Sequence, residues 1–373
     1  MKQVWQTTRV LKCAGALRLA RGAGCAAAVV VTLLALAALG MTTACSSSTT
    51  THLAYVVGGL TDVAVERISN SGVTKTVIGS PFVAGASPSS VVVHPSKHFL
   101  FVANQSEDTI SLFKIDATSG ALTEVLPRTA TGTSPTAMTM DSGGDFLFVA
   151  NSASDDIYVY SVSSTGALST VGLPTSVGSS PAGLTLTSSG SFLYVPVPNF
   201  SAVYVFAVSS GTLTPVGSPF FVANGVDPVA VDPAAKFLFV PNPSTNTVTV
   251  LTIQPDGSLL VGPGAFTTST TPVAALVDLT GAFLYVANFG STTINQYSIN
   301  STTGVLTALT ATSPTSGTRP IFLVTDPDGK FVYVGNQGSS SITEFSINTN
   351  GSLAPTANVI QLTFQPRSFF VTN

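Results

Sequence analysis

Two arginines carry the clearest chemical potential in this sequence. Arg319 and Arg367 each adjoin a proline that opens an apolar stretch, as Arg319-Pro320 and Pro366-Arg367. A guanidinium offers a fork of N–H donors that suits a carboxylate or a developing alkoxide, so the two could form a paired oxyanion clamp. Acids lie in comparable segments: Glu107 and Asp108, Asp155 and Asp156, and Asp227. One of these, with Glu107 and Asp227 as the candidates, could act as a base toward water. Together they would suit hydrolysis of a cyclic ester. The same charges also fit a solvated rim, in which Arg319 paired with Asp227 is merely structural. Beyond residue 45 the histidines are His52, His94 and His98, and none of them follows one of the prolines.

Those side chains are positioned by a repeat. An aromatic-apolar strand ending in Asn reads Phe99-Leu-Phe-Val-Ala-Asn104, Phe146-Leu-Phe-Val-Ala-Asn151, Phe237-Leu-Phe-Val-Pro-Asn242, Phe283-Leu-Tyr-Val-Ala-Asn288 and Phe331-Val-Tyr-Val-Gly-Asn336. A longer copy is Phe192-Leu-Tyr-Val-Pro-Val-Pro-Asn199, and a degenerate first copy is Leu53-Ala-Tyr-Val-Val-Gly58. From Asn104 the Asn spacings are 47, 48, 43, 46 and 48 residues. A proline and an apolar stretch precede each copy, at Pro88, Pro135, Pro181, Pro228, Pro272, Pro320 and Pro366. An alternating strand follows, and Gly-x-Leu, as in Gly351-Ser-Leu353, opens a fourth. Four strands repeated seven times predict an all-β fold, a seven-bladed β-propeller of four-stranded blades. The chain opens with a second strand and finishes with a first strand, Pro366 to Asn373. The C-terminal strand should therefore join the N-terminal blade and close the ring. The repeated Asn are expected to cap turns with their side chains.

These repeats, with Ser-Gly-Ala-Leu-Thr, resemble the lactonase family of seven-bladed propellers and the related Tyr-Val-Thr-Asn repeat proteins, over roughly residues 53–373. The family is named for 6-phosphogluconolactonase. The resemblance implies chemistry in a funnel at one end of the central channel, lined by His, Glu and Arg. This sequence departs from that pattern, because the residues after the seven prolines are Ser89, Thr136, Ala182, Val229, Val273, Ile321 and Arg367. A histidine base in the funnel is not expected. A hydroxyl-rich funnel of this kind would also suit a non-catalytic propeller that binds a glycan, peptide or protein.

The N-terminal segment reads as an address. Lys2, Arg9, Lys12, Arg18 and Arg21 precede an uncharged run from Ala26 to Met41, followed by Thr42-Thr43-Ala44-Cys45. That run is short for a membrane span, which needs about 20 residues. Basic region, apolar core and small residues together form an export signal. Its end resembles a bacterial lipobox, which implies acylation of Cys45; Thr42 stands where Leu is usual. The expected organisation is a signal over 1–45, a Ser/Thr-rich tether over 46–52 and a propeller over 53–373. The address is then the bacterial cell envelope, with the membrane reached only through the Cys45 lipid.

Cys13, Cys25 and Cys45 all lie in that segment, so the remainder has no disulfide and no Cys ligand. Of 14 Lys and Arg, nine remain against 17 Asp and Glu, about −8 with no basic run, which argues against nucleic acid. No cluster has metal-ligand spacing and no phosphate loop or nucleophile elbow occurs, so neither metal nor cofactor is expected. Trp5 is the one tryptophan, which argues against a quinone docked on repeated Trp. The expected partner is a small lactone or sugar-like ligand, or else an envelope protein or glycan, bound by a monomer.

Overall fold

A computed structural model describes residues 51–69, 71–222 and 228–372. Cys45 and Asp227 lie outside the described residues. The described strands form seven antiparallel sheets, arranged as the seven blades of a β-propeller. Each blade runs inner, second, third and outer strand. In blade 2 these are Pro88–Val93, Phe99–Asn104, Thr109–Ile115 and Leu122–Ala130. In blade 7 they are Pro320–Thr325, Phe331–Asn336, Ser341–Ile347 and Leu353–Gln361.

Blade 1 is built from both ends of the chain. Its inner strand is Pro366–Val371 and its second strand is Thr51–Gly58, paired with Val56 opposite Phe369 and Ala54 opposite Val371. The ring therefore closes as the repeat pattern predicts, with the first strand starting two residues earlier than read from the sequence.

The apolar gradient across a blade follows from its neighbours. The second strand of blade 2 is buried from Leu100 to Asn104, because a blade packs on each face of it. The outer strand Leu353–Gln361 alternates buried or half-buried with exposed residues, as expected where one face meets water. One blade interface gathers Tyr55, Val57, Val65, Val91, Leu100, Val102 and Phe113. The hairpin glycines lock such interfaces. Gly351 has φ +80° and lies so close to Phe283 of the preceding blade that a Cβ would overlap the ring. Gly166 sits in the same way on Phe99. Only glycine meets both demands at once.

Blades 4 and 5 depart from the pattern. Their inner strands shrink to Thr185–Leu186 and Ala230–Val231. Both second strands carry Pro, at Pro196 and Pro241, where blades 2, 3 and 6 have Ala. The Pro196 carbonyl faces the inner side and accepts from the Ala182 N–H at 3.0 Å. An N–H at that residue would point the same way, so proline removes a ladder donor to the inner strand.

Candidate functional site at the Asn end of the channel

The loops that follow the second strands and precede the inner strands come together at one end. Here the Asn side chains bond to backbone and to third-strand side chains, while among the described residues Oδ1 of Asn242, Asn288 and Asn336 has no donor. Asn104 Oδ1 accepts from the Gly85 N–H at 3.0 Å, and its Nδ2 donates to Thr109 and Ser111. Asn242 and Asn336 donate to third-strand Thr hydroxyls in the same manner. Asn199 differs: the two extra residues place it on a short 3-10 turn, where it donates to Ser179.

The residue before the inner-strand proline adopts a left-handed conformation in several blades: Ser87, Ser134, Thr271 and Arg319, with φ between 53° and 58°. Its carbonyl accepts from the residue after the Asn, as in Gln105 to Ser87 at 3.0 Å and Gln337 to Arg319 at 2.9 Å. A backbone clamp thus fixes each loop pair. Arg319 occupies the clamp position, whereas Arg367 follows its proline. The two arginines are therefore not at equivalent positions.

They also part company in space. The exposed Arg319 guanidinium sits 5.5 Å from the centre of the Phe289 ring in blade 6. Arg367 Nη1 donates to Gln105 Oε1 of blade 2 at 2.7 Å. Each leans toward the neighbour on the far side from the other, and no contact joins them among the described residues. The paired clamp expected from the sequence is not assembled here.

Glu107, Asp108 and Asp156 of these loops are engaged. Glu107 Oε2 accepts from Arg128 Nη1 at 2.8 Å, and Oε1 accepts from the Ala86 N–H at 2.9 Å. Asp108 Oδ1 accepts from the Ser134 N–H, and Asp156 Oδ1 accepts from Asn151 and Ser154. Hydroxyls span neighbouring blades around the channel: Ser89 donates to the Pro135 carbonyl and Thr136 to that of Pro181. All three described histidines lie toward the other end. His94 and His98 are in the turn between inner and second strands, with His94 bonded to Ser96 and Gly144.

One cleft at the Asn end holds a cation and an acid together. It measures about 530 Å³ and is lined by Gly59, Leu60, Thr61, Asp62, Phe364 and Arg367 among others. Asp62 was not singled out in the sequence. The signal was available: it opens its third strand, as Asp156 opens that of blade 3.

A model of the lactonase family, the 7-bladed β-propeller, matches residues 47–180 and 259–367. The chain belongs to this lactonase family. Solved structures share the ring at low identity. A protein described as a putative 6-phosphogluconolactonase from Bacteroides fragilis aligns with a TM-score of 0.78 and 18% identity, covering 88% of this chain and 99% of its own. A similar one from Bacteroides uniformis gives 0.76 and 17%, covering 86% and 99%. The Pseudomonas aeruginosa periplasmic gluconolactonase gives 0.73 and 20%, covering 87% and 99%. At such identities these likenesses speak for the fold alone. A search of curated proteins finds no match.

Proposed function

We propose that this propeller hydrolyses a small lactone in the cleft lined by Asp62 and Arg367. The observation that carries the reading is their shared cleft at the Asn end of the channel. Arg367, steadied by Gln105, would donate to the ester carbonyl oxygen as it becomes an alkoxide. Asp62 would take a proton from the attacking water and return it to the ring oxygen as the ring C–O bond breaks, giving the hydroxy acid. Glu107, on the same loop as Gln105, is an alternative base once released from Arg128. The exposed Arg319 would act at the rim. The acidic chain offers no basic cluster to draw in a phosphate, so an uncharged sugar lactone is the preferred substrate. No cofactor is invoked.

The second reading is a non-catalytic binding propeller, favoured by the inter-blade Ser and Thr bonds that turn so much of the channel wall to structural use. In either case we place the protein at the bacterial envelope, exported by the 1–45 segment and held by an acylated Cys45. The basic region, the apolar run from Ala26 to Met41 and the Thr42-Thr43-Ala44-Cys45 end support that address.

The test is acid release from a panel of lactones. Turnover is expected, with Arg367→Ala lowering kcat about 10²–10³-fold and Arg319→Ala much less. No turnover above the Arg367→Ala background on any lactone would transfer the assignment to binding.

A further inference from the structure

At the turn end, away from the cleft, three potential metal donors converge on the seam between blades 7 and 1. His52, the second residue of the first strand, is nearly buried, with 6% of its side chain exposed. Its Nδ1 lies 2.8 Å from the Thr372 carbonyl. A carbonyl can only accept, so Nδ1 carries a proton, and in the neutral imidazole Nε2 presents its lone pair. That lone pair faces Asp328 Oδ2 at 3.9 Å, too far for a hydrogen bond. One donor atom from each of His52, Asp326 and Asp328 lies within 4.8 Å of the others.

A comparison between repeats gives the second, independent observation. Asp232, Asp278 and Asp326 are buried residues at the start of the same turn. In all three, Oδ1 accepts from the N–H groups four and five residues on. In two of them Oδ2 is also used: by the Ala234 N–H in Asp232, and by the Thr280 N–H and hydroxyl in Asp278. Asp326 is 2% exposed, and among the described residues its Oδ2 accepts no hydrogen bond. That oxygen keeps lone pairs that no protein donor uses, unlike its counterparts in Asp232 and Asp278. A cation between Asp326 and the His52 lone pair would satisfy both.

We propose that His52, Asp326 and Asp328 bind one divalent first-row metal ion, with water completing its coordination. One imidazole and two carboxylates suit such an ion. The competitor already present is the Lys330 ammonium, 2.8 Å from Asp328 Oδ2. Both partners of that pair are about half exposed, and such pairs contribute little. The metal displaces Lys330 and ties the first strand of the chain to the turn of the last full blade. The site is separate from the proposed lactone cleft and does not depend on it.

Mn²⁺ is the probe, since it disfavours the N-terminal thiols. The full tag-free chain is titrated while the free-ion signal is followed by electron paramagnetic resonance. One saturable site is expected. Asp328→Asn, at an exposed position, leaves the metal-free melting temperature unchanged and weakens Mn²⁺ at least about tenfold. Lys330→Gln removes the competitor and tightens binding about two- to fivefold. Saturating Mn²⁺ raises Tm by about 5 °C, and His94→Gln/His98→Gln binds as the parent does. Absence of saturable binding, or binding unchanged in Asp328→Asn, overturns the proposal.

Discussion

Six of the seven blade interfaces differ from the seam between blades 7 and 1. In the six, a hairpin glycine rests on an apolar residue near the start of the neighbouring second strand: Gly120 on Leu53, and Gly166, Gly211, Gly257, Gly304 and Gly351 on Phe99, Phe146, Phe192, Phe237 and Phe283. At the seam the corresponding glycine, Gly72, meets the carboxylate of Glu344 instead. Glu344 is 2% exposed on the face that also carries Ile342, and its Oε1 accepts from Asn358 at 2.9 Å. Glu66 is buried on the facing strand, on the same side as Ala64 and Ile68. Burial pushes both carboxyls above their usual range, with hydrogen bonds from Thr76 to Glu66 and from Asn358 to Glu344 pulling partly back. The seam shares the apolar packing of the other interfaces, through Val56, Ile342, Ile360 and Phe369, but adds two buried carboxyls, and Glu344 Oε2 has no donor among the described residues.

The largest effect expected from breaking this contrast is at the closing strand. Removing residues 366–373 exposes Thr51–Gly58 as an edge and should abolish the cooperative thermal transition. A truncated chain melting as the parent does would refute closure as the basis of stability. Next comes the apolar lock: Gly351→Ala forces the backbone from φ +80° or displaces Phe283, and should cost about 3–5 kcal/mol by chemical denaturation. The matching Gly72→Ala meets a flexible carboxylate and should cost about 1–2 kcal/mol.

The third effect concerns pH. The folded chain holds the protons of Glu344 and Glu66 more tightly than the unfolded chain does. Their contribution is fully present below the unfolded-state value, about 4.3, and is lost as pH rises through the raised folded values. Glu344→Gln should therefore flatten the fall in Tm between pH 4 and pH 7 relative to the parent. An identical slope in both proteins would remove Glu344 from the account. The smallest effect belongs to the rim, where Arg128→Ala breaks partly exposed pairs with Glu107 and Glu124 and should cost at most about 1 kcal/mol.

The ring was legible because its determinants are local and repeated. Phe-Leu-Phe-Val-Ala-Asn marks a strand buried on both faces wherever it occurs, and Pro366 marks the missing inner strand. The short inner strands of blades 4 and 5 were not read from the sequence, because Pro196 and Pro241 mark them only when the direction of the lost N–H is known. The site was less legible than the ring. The sequence aligns Arg319 and Arg367 on flanking prolines, but the clamp geometry separates residues on either side of the proline. The engagement of Glu107 by Arg128 follows a register shift of the outer strand between Val125 and Thr129 that no motif records. His52 reads as a residue ahead of a strand; its partner, Thr372, is 320 positions away.

That separation has a consequence for how the molecule is made. Leu53 donates its N–H to Thr372, 319 residues on, so the first strand of the propeller is also the last to find its inner partner. Blades 2 to 7 can assemble in order as the chain emerges, each against its predecessor, but no ring exists until the final strand is available. Such long-range closure is slow and leaves an unpaired edge exposed meanwhile.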